Sequence, residues 1–146
     1  MWDVNHTISL AANLKDALLN EPMLTQEYQR VNVLITTPHF TTVPVAAFQK
    51  EDIGTVYQFV FPKDKAQHIS YNVLRRSGIA IIFGLDRNIH QLLLDDFPRA
   101  RFYASASTLI EFFGENSLFG KGRKMYVYLH EREMTVYAFE QGRMLF

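Results

Sequence analysis

The sequence predicts an α/β fold, a mixed sheet with helices, on three observations. The first is a continuous apolar run, Ile79-Ala-Ile-Ile-Phe83, which suits a strand covered on both faces. The second is a helix immediately after it, from Arg87 to Phe97, with Asp86 placed as its N-cap and Pro98 as its stop. The third is a further short strand, Arg101 to Ala104. Strand, helix and strand form a crossover unit that predicts a parallel pair at the centre of a layered domain.

Other elements take their places around this unit. Leu10, Leu14 and Leu18 recur at helical spacing with Asn13, Lys15, Asp16 and Asn20 opposite them, the pattern of a helix laid on a core. Val31 to Ile35 reads as a buried strand that Pro38 ends, because proline lacks the N–H a ladder needs and pushes the preceding residue into extended geometry. Phe40 to Val43 is extended, and residues 46–61 read as one helix despite Gly54. Ile69, Tyr71 and Val73 alternate with polar neighbours, and Arg75 to Gly78 turns that strand back antiparallel onto Ile79–Phe83. Thr108 with Glu111 fits a capping box for a helix that Gly114 to Ser117 closes. Three strands complete the chain, Met125 to His130, Met134 to Phe139 and Arg143 to Phe146, the last two joined through Gln141–Gly142.

Composition narrows the functional classes. The chain has 146 residues, 48% hydrophobic and 14% aromatic, enough for a ring-rich core. Lys+Arg and Asp+Glu balance at 15 each, so no net field draws nucleic acid or an anionic membrane. Cysteine is absent, which removes disulfides, thiolate nucleophiles and cysteine-ligated metals. No apolar run approaches the roughly 20 residues of a membrane helix, and the N-terminus has no secretory pattern, so a cytoplasmic location is expected. The abrupt ends, a helix within about ten residues of the start and an apolar strand at Phe146, lead us to expect a fragment of a longer protein.

No catalytic signature stands in the residues. His6, His39, His68, His90 and His130 include no i, i+4 pair, so no helical zinc motif is present and no metal site is expected. Asp95 and Asp96 are adjacent on a helix and do not converge. Three residues are candidates for ligand contact. Asp86 lies where a strand gives way to a helix, the edge at which open α/β sheets bind ligands, although capping accounts for it. Lys121 and Arg123 sit in Gly120-Lys-Gly-Arg-Lys124, where glycine amides and positive charge could meet a phosphate. The P-loop spacing is missing, and a solvated linker is the simpler reading. That linker is the natural boundary between residues 1–119 and 120–146.

The run from Met125 to Phe146 resembles the strand–turn–strand–glycine-turn–strand that opens the second domain of actin-like ATPases. Thr37-Pro38, Phe40 to Pro44, Phe83 to Asp86 and Ser105 to Leu109 resemble an uncharacterised bacterial family, a domain of unknown function with that ribonuclease-H-like fold. The resemblance implies that residues 1–119 are a first subdomain lacking its opening hairpin and that 120–146 open the second. It also implies a phosphate loop outside this sequence. Where active members carry a glycine- and aspartate-rich turn, this chain has Tyr128-Leu-His-Glu-Arg-Glu133. Side chains of that size hold the backbone away from a phosphate, and Glu131 and Glu133 repel it. The expectation is a non-catalytic scaffold or protein-binding module with no cofactor; the alternative is a nucleotide-binding ATPase completed by residues elsewhere. Both faces of the C-terminal strands are apolar, so a protein partner is expected there, as a homo-oligomer if the chain ends at Phe146.

Overall fold

The computed structural model describes residues 3–65, 68–130 and 133–145. Helix α1, Leu10–Asn20, opens under the Ser9 hydroxyl, which accepts the Ala12 N–H. Strand β1, Asn32–Ile35, is followed by β2, Phe40–Pro44. Pro44 is tolerated because β2 is the outermost strand of its sheet and needs no donor on its open side. Two single 3-10 turns, Val45–Ala47 and Lys50–Asp52, precede helix α2, Ile53–Val60. Strand β3, His68–Leu74, turns into β4, Ile79–Leu85, and helix α3, Arg87–Asp96, leads to β5, Arg101–Ala104. Helix α4, Ser105–Ser117, precedes β6, Arg123–His130, β7, Glu133–Glu140, and β8, Arg143–Met144.

All seven residues of β4 are buried, as a strand covered on both faces requires. Its two edges are taken by β2 and β3, both antiparallel. This displaces the parallel pair from where the sequence put it. Strand β5 cannot join β4, and instead it runs parallel to β1, Asn32 opposite Arg101 through Ile35 opposite Ala104. A ten-residue helix is about 15 Å long, enough to carry the chain past the intervening strand β3.

No ladder joins β3 to β5; the Asn72 side chain does so instead. Its amide nitrogen donates to the Phe102 carbonyl (2.9 Å), and its oxygen accepts the Ala104 N–H (3.0 Å) and the Ser107 hydroxyl (2.7 Å). That last bond also corrects the start of α4. The helix begins at Ser105, three residues before Thr108, with Ala104 as an N-cap that has no side chain to offer. Ser107, tied to Asn72, secures the first turn, and Thr108 bonds back to the Ser105 carbonyl from within the helix. Gly114 does not end the helix either. It is buried, and a Cβ there would lie 3.2 Å from Ser77 Oγ and 3.4 Å from the Gly142 carbonyl, so the glycine is an approach point for two turns.

The single helix expected over 46–61 is likewise broken. Phe48 and Gln49 are extended, and the Phe48 ring turns in against Tyr71 with 5.1 Å between centroids. Strand β1 is only half-buried, with Leu34 54% exposed, because β1 is an outer strand and only one of its faces is covered.

The third sheet, β6-β7-β8, is antiparallel, with Met125 opposite Ala138 and Leu129 opposite Met134. One face points inward: the Phe113 ring of α4 stacks on Tyr126 at 4.5 Å and meets Tyr137 at 5.7 Å. Tyr137 and Phe139 belong to the same buried cluster as Ile81, Phe83 and Ile110, so one core runs across residues 119 and 120. The other face presents Met125, Leu129 and Met134, each about two-thirds exposed or more. The bonds that fasten this sheet to the rest include Gly142 N–H to the Ser117 hydroxyl (2.8 Å), Met144 N–H to the Ser77 carbonyl (3.3 Å) and Lys124 Nζ to the Asn116 carbonyl (3.0 Å). The acidic turn expected at Glu131 and Arg132, the side chain of Glu133, and the strand end at Phe146 lie outside the described residues. No helix among the described residues is long and apolar enough to cross a membrane.

Candidate functional site

The structure has a cleft of about 460 Å³ where the third sheet faces the first part of the chain. Thr36, Thr37 and Pro38 form one wall because β1 must stop before the proline and the chain doubles back into β2. The turn is held by the Thr37 hydroxyl, which accepts the His39 N–H. Ser105 and Ala106, at the start of α4, form the floor, and Tyr128, His130, Thr135 and Tyr137 on β6 and β7 form the opposite wall. Burial, with the neighbouring Tyr128, pushes the Tyr137 hydroxyl up to about 12, so it stays protonated and neutral.

The described lining offers hydroxyls, one imidazole and aromatic faces. It contains no lysine, arginine, aspartate, glutamate or glycine. Hard cations need carboxylate oxygens, and phosphates need closely approaching amides or fixed positive charge. Among the described residues, no group of three or more histidine, aspartate or glutamate side chains could hold a metal.

A second hollow, about 580 Å³, lies between α1 and α3 at the carboxyl ends of β1 and β4. Leu10, Leu14, Ile89 and Leu93 make it mostly apolar, and Thr36 and Thr37 belong to both hollows. Asp86 sits at its rim and caps α3, its Oδ1 accepting the N–H groups of Asn88 (2.7 Å) and Ile89 (3.1 Å). Lys121 is exposed in the loop before β6, and Arg123 stands 3.6 Å from Glu140 at the start of that strand. Neither lines the cleft or the groove. Five residues of strand, about 16 Å, separate Arg123 from Tyr128, so the structure does not gather the three sequence candidates into one site.

Two clusters were invisible in the sequence. His39 Nδ1 lies 3.3 Å from Asp64 Oδ1, and the same carboxylate accepts the Tyr57 hydroxyl. Burial, then the bond and charge of Asp64, drive Tyr57 well above its ordinary value. His39 also packs on Phe61, and neither His39 nor Asp64 lines a described hollow. The second cluster is His68 stacked on His90, 3.8 Å between ring centroids. Both clusters join residues from different elements, and no spacing rule could have found them.

Residues 2–146 match the family model described as Protein of unknown function (DUF3822). The chain belongs to the DUF3822 family. No curated protein matches the DUF3822 chain. Among solved structures it is similar to a Bacteroides thetaiotaomicron protein described as having an actin-like ATPase fold and unknown function. That match has a TM-score of 0.92 at 33% identity and covers 99% of this chain. The DUF3822 chain spans 56% of the length of the Bacteroides protein. The mixed α/β architecture is thus an actin-like fold, as the resemblance implied.

Proposed function

We propose that this DUF3822 chain is a non-catalytic scaffold or protein-binding module on an actin-like fold, with its subdomains meeting at residues 119 and 120. The observation that carries this is the cleft. It lies between the two parts, yet its described lining holds no metal-binding carboxylate, no phosphate-binding cation and no glycine. The binding surface is the outer face of β6 and β7, where Met125, Val127, Leu129 and Met134 are exposed together. Its occupant, if the chain ends at Phe146, is a second copy of the chain. The centre of the face is apolar, its charged Arg123–Glu140 pair lies at one end, and flexible methionines adapt to an identical surface. Pairing it with itself buries on the order of 1,000 Å², the threshold of a specific interface.

The second reading, a nucleotide-binding ATPase whose phosphate loop lies elsewhere, is favoured by the fold and by the cleft volume. A thermal melt of a longer form of the protein, extending beyond these 146 residues, with and without Mg-ATP separates the two. A saturated site adds about 2.7 kcal/mol at a hundredfold excess over its dissociation constant, whereas the scaffold reading expects an unchanged melting temperature. A clear upward shift would overturn it.

A further inference from the structure

We propose that the stacked pair His68 and His90 is a pH-sensitive latch that holds the N-terminal half of α3 on the sheet and releases it on acidification. The rings lie face to face, 3.8 Å apart and within 17° of parallel. His90 also meets the Phe102 ring of β5, 4.6 Å away. A single side chain near the start of α3 therefore contacts both β3 and β5.

The surroundings decide which charge state this geometry tolerates. Arg87, one turn before His90, adds positive charge. On β4 the residue opposite His68 is Leu85, and β5 presents Phe102, so neither strand offers a counter-charge there. Asp86, which precedes α3, has Oδ1 committed to the amides of Asn88 and Ile89, and Asp95 accepts from Gln91 along the exposed side. Among the described residues, no carboxylate forms an ion pair with either ring. Two imidazolium rings at this separation would repel without compensation.

Burial, then Arg87, holds His68 below its ordinary value of 6.5, and burial, then His68, does the same to His90. An opened α3 frees both rings to take up protons at that ordinary value, so the open state binds more protons than the closed one. Closure is accordingly favoured at higher pH and loses ground as pH falls below 6.5. Opening widens the groove between α1 and α3, because Asp86 and Ile89 line it. The latch thus couples acidity to the shape of that groove.

The test is amide hydrogen exchange across the 146-residue chain between about pH 7.5 and about pH 5, corrected for the intrinsic pH dependence of exchange. The native chain should show α3 amides opening several-fold more often at the acid end, while β4 amides stay protected. His90→Phe keeps a ring against Phe102 and removes the charge, so its α3 protection should be flat over the same range. Equal pH dependence in both chains would overturn the latch. A second readout needs no variant: the carbon-bound ring protons of His68 and His90 should titrate below 6.5. Two independent titrations at the ordinary value would overturn it as well.

Discussion

At the scale of single residues, Asn72 shows how a side chain replaces a missing ladder. Its amide group satisfies the Phe102 carbonyl, the Ala104 N–H and the Ser107 hydroxyl, all at the junction of β3, β5 and α4. Replacing it by leucine leaves those groups buried without partners. Each orphaned group costs about 1–3 kcal/mol, so Asn72→Leu should lose roughly 3 kcal/mol, read as a lower urea midpoint at unchanged slope. The sequence shows Asn72 only as the polar member of an alternating strand. Its role depends on residues 30 to 35 positions away, and period-two patterning carries no information about such partners. Asp86 is legible for the opposite reason: a cap acts on amides two and three residues ahead, within reach of a local rule.

At the scale of elements, local patterning locates the strands and fails on helix starts and on strand order. Strand β4 announces its burial through five consecutive apolar residues. The same run cannot say which neighbours take its edges, so it suggests β4 and β5 as the parallel pair when that pair is β1 and β5. Helix α4 reads late because the Thr108–Glu111 spacing fits a capping box, whereas a tertiary bond to Ser107 secures an earlier start. A local signal lost to a distant partner. For α3 the two coincide. Asp86→Ala removes the acceptor of two first-turn amides and should cost about 1 kcal/mol, measured as a shift in the denaturation midpoint, with the loss of helical signal confined to α3.

At the scale of the whole molecule, the face of the third sheet opposite the core sets the expected state in solution. Leu129 and Met134 stand directly opposite each other, 71% and 67% exposed. Changing exposed side chains leaves the core intact, so Leu129→Lys with Met134→Lys should fold as before and resist self-pairing. Light scattering should give twice the mass of the 146-residue chain for the native protein and a single-chain mass for the double variant. A native monomer with β6 and β7 still ordered would sink the self-pairing surface. The sequence displays this face plainly, because alternating strands expose their pattern before folding. It cannot display the cleft, whose walls come from Thr36 at one end of the chain and Thr135 at the other.

The turn between β7 and β8 has a mechanical consequence. Gly142 holds a φ of +83°, and a methyl group there would fall 2.7 Å from Leu118; its amide is tethered to Ser117 as well. The third sheet is therefore keyed into the end of α4 like a tooth in a socket, a contact that opposes swinging about that turn. The expected consequence is a cleft of preset width, which would select by fit rather than by closure.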